Sequence, residues 1–168
     1  MAGSLKSISS LNPLEIQLAT QFTYCILTAQ WNSEITCKLE LGAIQLLTNC
    51  GVPTSQIKTI AVPGSFELPL TAKWALEYYK SDAILCLGCI IQGETKHDEF
   101  IAHSISKAIL DLNISSEKPI IFGVLTVNNI QQAEDRAGGK FGNKGEEAAI
   151  TAIQMLNIRS QLQLSNQE

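Results

Sequence analysis

Residues 83–91 form one of the most apolar runs of the chain, and their context narrows the choice of fold. The run has the length of a β-strand buried on both faces and is far too short to span a membrane. A polar stretch, residues 92–97, follows it directly. Apolar residues then recur at helical spacing from Phe100 to Leu112. A buried strand that leads through a short polar turn into an amphipathic helix is typical of α/β proteins.

The order of strand and then helix occurs four times along the chain. The predicted strands are residues 22–29, 57–62, 83–91 and 119–126. Ser33 is predicted to cap the first helix, and the spacing of Phe66, Leu70, Trp74 and Tyr78 predicts a second helix that starts near Ser65. A short helix at residues 130–137 and a longer one around residues 148–156 follow the last strand. This order predicts an α/β three-layer sandwich, in which helices flank a four-stranded parallel sheet of flavodoxin-like order.

The chain of 168 residues is predicted to be a single domain, because it contains no internal repeat and no linker-like stretch. Residues 21–158 form its core, residues 1–20 an N-terminal arm and residues 159–168 a polar tail. We expect both ends to be frayed or docked onto a neighbour. The arm is a candidate for pairing with the open sheet edge of a neighbouring subunit, which would protect that edge.

Composition argues against several classes of function. The net charge is −4, the isoelectric point is about 5.2, and there is no basic run, so we expect no nucleic-acid partner. The first twenty residues lack a basic segment followed by an apolar one, and no apolar run is long enough to span a membrane. We therefore expect a cytoplasmic protein with no membrane partner.

Two of the five cysteines, Cys86 and Cys89, have the C-x-x-C spacing of redox and zinc sites. Both lie inside a predicted strand, where residues three apart point to opposite faces of the sheet. They cannot converge on one metal ion or one disulfide without breaking the strand. We therefore interpret Cys86 and Cys89 as buried free thiols that act as small hydrophobes, and expect no metal site.

Parallel strands all end at the same sheet edge, so the loops that follow them collect side by side. These loops bring together the segments 31–32, 63–67, 93–97 and 126–128. His97 can transfer protons near neutral pH, and the helix that starts beside it attracts anions. Trp31 suits a stacking platform or an edge of the core. Simpler readings are a solvated turn for His97 and a helix-dipole contact for Glu67.

A second cluster, residues 133–145, places Arg136, Lys140 and Lys144 among glycines. It differs from a phosphate-binding P-loop, because the Gly-Lys-Ser/Thr ending is absent and the cluster follows a helix rather than a strand. One interpretation is a glycine-rich joint between helices with solvated lysines. Another is an anion site that these cations complete on a neighbouring subunit.

Four motifs in order resemble the 6,7-dimethyl-8-ribityllumazine synthase family. They are Val-Pro-Gly-Ser-Phe-Glu-Leu-Pro at residues 62–69, Gly-Cys-Ile-Ile-Gln-Gly-Glu-Thr-Lys-His at 88–97, Phe-Gly-Val-Leu-Thr at 122–126, and Asp-Arg-Ala-Gly-Gly-Lys-Phe-Gly-Asn-Lys-Gly at 135–145. Each motif alone is weak, but four in this order with compatible spacing are highly specific. The resemblance covers roughly residues 22–156.

The resemblance implies the penultimate step of riboflavin biosynthesis. In this reaction 5-amino-6-ribitylaminouracil condenses with 3,4-dihydroxy-2-butanone 4-phosphate, an imine forms, phosphate leaves, and ring closure with loss of water gives 6,7-dimethyl-8-ribityllumazine. The family uses no cofactor and no metal. Its active site lies between adjacent subunits of a homopentamer, and such pentamers can form icosahedral capsids. Riboflavin synthase is an implied partner.

The resemblance also implies roles for individual residues. His97 is the proton-transfer residue. Arg136 of the neighbouring subunit binds the phosphate group, together with the backbone around Glu94 and Thr95 and the hydroxyl of Thr95.

The pyrimidine and ribityl groups are assigned to the other loops. Trp31 stacks on the pyrimidine ring, and Ser65, Phe66 and Glu67 hold the ribityl chain and the pyrimidine. Phe122 and Lys144 of the neighbouring subunit close the pocket.

The chain departs from the family pattern within the phosphate loop. Gln92 stands where many members carry arginine, Asp98 stands where an aromatic residue is common, and Glu94 and Lys96 add charges. Two other hypotheses remain: a flavin- or pterin-binding module without catalysis, and a cage-forming protein. The first leaves His97 and Arg136 without a role, and the second is compatible with catalysis.

Overall fold

The computed structural model describes residues 10–165 and contains one four-stranded parallel sheet. Its strands are β1 (Tyr24–Ala29), β2 (Ile57–Val62), β3 (Ala83–Ile91) and β4 (Ile120–Val127), in the spatial order β2-β1-β3-β4. All neighbouring pairs are parallel. The predicted α/β fold with a flavodoxin-like strand order is therefore confirmed.

Helices cover both faces of this sheet. They are α1 (Pro13–Ala19), α2 (Ser33–Asn49), α3 (Leu68–Tyr78), α4 (His97–Ser116), α5 (Ile130–Asp135) and α6 (Lys144–Ser165). Short 3-10 helices at Thr54–Gln56 and Ser65–Glu67 precede β2 and α3. Within residues 10–165, none of the helices is long and apolar enough to cross a membrane.

Strand β3 lies between β1 and β4, and its first seven residues are buried. Leu85, Leu87 and Cys89 face a core that includes residues of α1, α2 and α6. Ile84 and Cys86 face a second core that includes residues of α3 and α4. Cys86 and Cys89 thus point to opposite faces, as their spacing predicts, and all five cysteines are free. Burial raises the pKa of the Cys89 thiol to about 11, which suits a packing role.

The N-terminal arm contains a helix. Asn12 caps α1, because its side chain accepts from the Glu15 backbone N–H at 2.9 Å while the Glu15 carboxylate accepts from the Asn12 backbone N–H at 2.8 Å. Residues 13–19 are therefore not available as a strand for a neighbouring sheet. Pairing of the arm with a neighbour remains a prediction for the residues before α1, and residues 1–9 lie outside the described part.

The predicted polar tail, residues 159–168, mostly continues a helix, since α6 extends to Ser165. Its glutamines, leucines and single arginine are good helix formers, so the segment needs no apolar period to remain helical. Residues 166–168 lie outside the described range.

The segment between α5 and α6 is a small hairpin, β5 (Ala137–Gly139) and β6 (Gly142–Asn143), rather than a plain joint between helices. Gly138 and Gly142 have φ values of 104° and 77°, a region that glycine adopts without steric cost. The short helix predicted at residues 130–137 correspondingly ends at Asp135.

Helix α3 confirms the predicted helix, but the large apolar residues that predict it point outward. Phe66, Leu70, Trp74 and Tyr78 are all exposed. Smaller residues, including Ala72 and Ala75, face the sheet instead. We call the four exposed residues the aromatic-aliphatic stripe.

The start of α6 packs directly on the backbone of α2. Asn143 donates from Nδ2 to the Lys38 carbonyl at 2.9 Å and accepts from the Gly145 N–H at 2.8 Å. A methyl group on Gly145 would overlap the Leu39 carbonyl oxygen. The absence of a side chain at Gly145 is therefore what allows the two helices to meet.

We expect Gly145→Ala to destabilise the protein by about 1–3 kcal/mol, the usual cost of overpacking, because neither backbone can move freely. Gly93→Ala is the matched control, since no atom lies within 4 Å of a methyl group at that position. Denaturant unfolding of both variants tests this. Equal stability of the two variants would contradict the tight contact between α2 and α6.

Candidate active site

A cleft of about 520 Å³ lies at the carboxyl edge of the sheet, where β1, β2 and β3 end and α4 begins. Several residues predicted to bind substrate line it: Trp31, Ser65, Phe66, Glu67, Thr95 and His97. Asn32, Gly64, Cys89, Ile90, Ile91, Gly93, Asp98 and Ile101 complete the lining. The structure therefore brings six of the ten predicted site residues into one cavity.

The end of β1 holds Trp31 at the mouth of the cleft. Asn32, which follows it, adopts a left-handed conformation with φ 59° and ψ 43° and donates from Nδ2 to the Cys89 carbonyl at 2.9 Å. This bond joins the loop after β1 to the carboxyl end of β3. The Trp31 indole is 75% exposed and is free to stack on a flat ligand. Asn32, not Ser33, occupies the cap position of α2, so the predicted capping role of Ser33 is wrong.

The 3-10 helix at Ser65–Glu67 contributes three residues to the lining of the cleft. Ser65 is buried, and its side chain lies against Gly88. Phe66 is 60% exposed. A methyl group built on Gly64 would lie 3.0 Å from Glu67 Oε2 and 3.6 Å from Trp31 Cδ1, so a carboxylate and an indole flank the same glycine. Together they can bind a flat ring that carries hydroxyl groups.

The loop between β3 and α4 has the properties of an anion site. Within residues 10–165, the backbone N–H groups of residues 93–96 donate to no acceptor, and they precede the amino end of a 20-residue helix. His97 is the first residue of that helix and is exposed, and its imidazole makes no hydrogen bond to the described chain. Glu94 is exposed on this loop but does not line the cleft.

Three predicted site residues lie away from this cleft. Phe122 is half-buried in β4 and packs against the core beneath α3 and α4. Arg136 and Lys144 stand at the two ends of the β5–β6 hairpin. None of the three lines the cleft of the same chain.

Both of these cations are paired with Glu147. The Arg136 guanidinium contacts Glu147 Oε1 at 2.8 Å and Oε2 at 2.9 Å, and Lys144 Nζ contacts Oε2 at 3.3 Å. Burial alone would raise the pKa of Glu147, but the bond from Arg136 and the charge of Lys144 outweigh it and hold that pKa below its usual value. Glu147 is therefore ionised at neutral pH.

The formal charges around the cleft do not suit a phosphate group by themselves. Glu67 and Asp98 line the cleft and Glu94 lies on its loop, while Lys96 is the single lysine of the segment 93–97. A dianion held here needs further cations. Within residues 10–165 no three histidine, cysteine, aspartate or glutamate side chains cluster as metal ligands would.

Sequence reasoning placed Asn32 in a loop at this sheet edge but gave it no role, and it did not identify Glu147 as a partner of the cations. The tolerance of asparagine for left-handed backbone and its position directly after a strand are the signals that could have indicated Asn32. Lys144 and Glu147 are three residues apart on one helix, and this spacing is the signal that could have indicated their ion pair.

The fold and this cleft define a flavodoxin-like α/β protein with a ligand site at the carboxyl edge of its parallel sheet. The family model for 6,7-dimethyl-8-ribityllumazine synthase matches residues 21–160. The chain belongs to the 6,7-dimethyl-8-ribityllumazine synthase family, and the resemblance predicted from the four motifs is confirmed.

Curated relatives agree with this assignment. The 6,7-dimethyl-8-ribityllumazine synthase of Cytophaga hutchinsonii is 48% identical over 93% of this chain and 98% of its own length. The protein of the same name from Flavobacterium johnsoniae is 46% identical over 99% of this chain and 87% of its own. The protein of the same name from Parabacteroides distasonis is 41% identical over 94% of this chain and 99% of its own length.

We expect Asn32→Ala to weaken binding of a ligand that stacks on Trp31. The variant loses the hydrogen bond to the Cys89 carbonyl, and alanine adopts the left-handed backbone conformation of this position less readily than asparagine. Asn32→Gly keeps the backbone freedom and loses only the bond, so it should have the smaller defect. Quenching of tryptophan fluorescence by ligand measures the effect, with Trp31→Phe to identify the signal. Equal, wild-type affinity in both variants would contradict the role of Asn32.

Proposed function

We propose that this chain condenses 5-amino-6-ribitylaminouracil with 3,4-dihydroxy-2-butanone 4-phosphate to give 6,7-dimethyl-8-ribityllumazine, with release of phosphate and water. The observation that carries this proposal is the cleft itself, in which a stacking ring, a carboxylate, a histidine and unpaired loop N–H groups meet. The predicted function in riboflavin biosynthesis and the predicted enzyme class are confirmed by family membership. No observation favours a non-catalytic flavin- or pterin-binding module.

The pyrimidine substrate is assigned to the mouth of the cleft. Trp31 stacks on the ring, since its indole is exposed there. Phe66 and the buried Ser65 line the same cleft. The unpaired carboxylate of Glu67 accepts hydrogen bonds from the ribityl hydroxyl groups.

The phosphate group is assigned to the loop before α4. The N–H groups of residues 93–96, the Thr95 hydroxyl and the amino end of the helix supply donors. The acidic residues around the cleft call for further positive charge, which Arg136 of a neighbouring subunit provides. Glu94 contributes through its backbone rather than through its carboxylate.

His97 is assigned to proton transfer. Imine formation requires the amine to lose protons and the ketone oxygen to gain them, and the later elimination of phosphate removes a proton from carbon. A single imidazole with both nitrogens unengaged can serve these steps in turn. Orientation of the two substrates in one cleft supplies a further part of the rate.

A site shared between subunits is the arrangement that this placement favours. Arg136, Lys144 and Phe122 cannot serve the cleft of their own chain where they stand, but a cyclic head-to-tail contact would bring them to the cleft of the next. The aromatic-aliphatic stripe begins at Phe66 in the cleft, continues along α3 and offers an apolar surface for such a contact. We therefore propose a homopentamer, alone or in a capsid. A complex with riboflavin synthase and a cytoplasmic location remain predictions.

Incubation of the purified protein with both substrates tests the proposal directly, because the lumazine product absorbs and fluoresces where neither substrate does. Product must form faster than in a matched solution without protein, since the two substrates also react slowly unaided. A rate equal to that background would overturn the proposed activity.

We expect His97→Ala to lower turnover, at most by about a hundredfold to ten-thousandfold, which is the usual contribution of a general acid–base group. The loss is smaller if orientation dominates the rate. His103→Ala is the matched control, because His103 lies on the same helix and is exposed, and within residues 10–165 its imidazole contacts only the Glu99 carbonyl. Wild-type turnover in His97→Ala would remove the role assigned to His97.

With the butanone phosphate kept well below the KM of Arg136→Ala, we expect mixed oligomers of His97→Ala and Arg136→Ala subunits to be more active than either variant alone. In random assemblies of equal amounts, about a quarter of head-to-tail interfaces combine an intact cleft with an intact Arg136. Co-expression with two different tags isolates the mixed species, and the lumazine assay measures them. If mixed oligomers form and remain as inactive as the separate variants, the site is not shared.

A further inference from the structure

The carboxylate of Glu147 binds two cations at once and closes the base of the β5–β6 hairpin. It pairs with both terminal nitrogens of Arg136, at 2.8 and 2.9 Å, and with Lys144 Nζ at 3.3 Å. The Lys144 N–H also donates to the Arg136 carbonyl at 2.9 Å. Glu147 lies one turn into α6, and its side chain is only 17% exposed. The position of the arginine is therefore determined by a rigid helix rather than by the hairpin alone.

These contacts leave one edge of the guanidinium free. Arginine has five N–H donors in a planar fork. One of them, on Nη2, bonds to Glu147 Oε2, and another, on Nη1, bonds to the Phe141 carbonyl at 2.6 Å. Nη1 also lies 2.8 Å from Glu147 Oε1 in the ion pair, so the carboxylate faces the edge between the two terminal nitrogens. Within residues 10–165, the remaining N–H groups, on Nε and on Nη2, have no acceptor. These two are parallel and on the same side, which is the pattern that binds two oxygens of one phosphate group.

The charge of the cluster also suits an anion. Arg136 and Lys144 carry two positive charges against one negative charge on Glu147, so the cluster keeps a net positive charge at neutral pH. Glu147 restricts the orientation of the Arg136 guanidinium before an anion binds. The entropy cost of ordering the arginine side chain on binding is therefore smaller.

We propose that Glu147 is a positioning residue for phosphate recognition: it turns Arg136 so that the Nε–Nη2 edge faces the phosphate group of the four-carbon substrate. The inference rests on the proposed function, in which Arg136 of one subunit serves the cleft of the next. Glu147 itself touches no substrate and acts only through Arg136, with Lys144 as the second cation that it holds.

Glu147→Gln tests this role with little change of shape. The amide offers one acceptor oxygen, and its NH₂ group would face a donor of Arg136 or Lys144, so the paired contact is lost. We expect the KM for the butanone phosphate to rise about tenfold to a hundredfold, while the KM for the pyrimidine changes by less than about twofold. Glu147→Asp keeps the charge with a shorter reach and should lie between wild type and Glu147→Gln.

The matched control is Glu146→Gln. Glu146 is the adjacent half-buried carboxylate on the same helix, and its side chain has no partner among residues 10–165. We expect both KM values of this variant to stay near those of the wild type. Arg136→Ala should raise the KM for the butanone phosphate alone, with only partial rescue by Arg136→Lys, which lacks the fork.

A double-mutant cycle separates positioning from general weakening. Because Glu147 acts through Arg136, the double variant Arg136→Ala/Glu147→Gln should bind phosphate as weakly as Arg136→Ala alone. Titration of inorganic phosphate, followed by ³¹P NMR, gives the dissociation constants without any turnover. Circular dichroism and sizing establish that each variant is folded and assembled.

The proposal is overturned if Glu147→Gln binds phosphate as well as or better than the wild type while Arg136→Ala binds it weakly. In that case Glu147 only reduces the positive charge of the cluster formed with Arg136 and Lys144, and it does not position the arginine. Equal changes in both KM values, or additive effects in the double variant, would also overturn it. If Glu147→Gln does not fold, Glu147→Asp decides, and an unchanged KM in that variant rejects the role. A wild-type protein that binds phosphate but forms no lumazine would instead reject the proposed function.

Discussion

Burial of β3 on both faces is the constraint on which the rest of the structure depends. A strand with no exposed face can carry polar chemistry only where it ends, because an unpaired polar group in its middle would be desolvated without compensation. Parallel pairing with β1 and β4 then places the other strand ends beside that point. The cleft with Trp31, Glu67 and His97 follows from this geometry.

The distribution of charge separates the acidic cleft from the main cluster of cations. Residues around the cleft are mainly acidic, while Arg136 and Lys144 stand on a hairpin outside it. A carboxylate in the first turn of α4 is itself stabilised by the helix dipole, so Asp98 occupies part of the field that would otherwise attract an external anion. The arrangement we propose resolves this, because the neighbouring subunit supplies an arginine that Glu147 already holds in place.

Local pattern predicted the sheet closely and the connections less well. Strands β2 and β3 have the predicted bounds, while β1 begins two residues later than predicted and β4 is shifted by one. The β5–β6 hairpin escaped prediction, since its strands are too short to show an alternating pattern and depend on two glycines with positive φ. For α3 the spacing predicted a helix but not its buried face, because alanines pack against the sheet there while the larger residues point outward.

The sequence by itself determined the fold class through the spacing of its apolar residues and the family through four motifs in order. It also predicted the six residues that meet in the cleft, because parallel strands end at a shared edge of the sheet. Only the tertiary structure decided what holds those residues. Asn32 donates to the Cys89 carbonyl, 57 positions away in the chain. The absence of a side chain at Gly145 allows α6 to pack on the backbone of α2. It also decided which edge of Arg136 is left free, since the Glu147 carboxylate reaches that guanidinium only after the hairpin has folded back on α6. Such contacts join distant or folded-back segments, and no local spacing encodes their geometry.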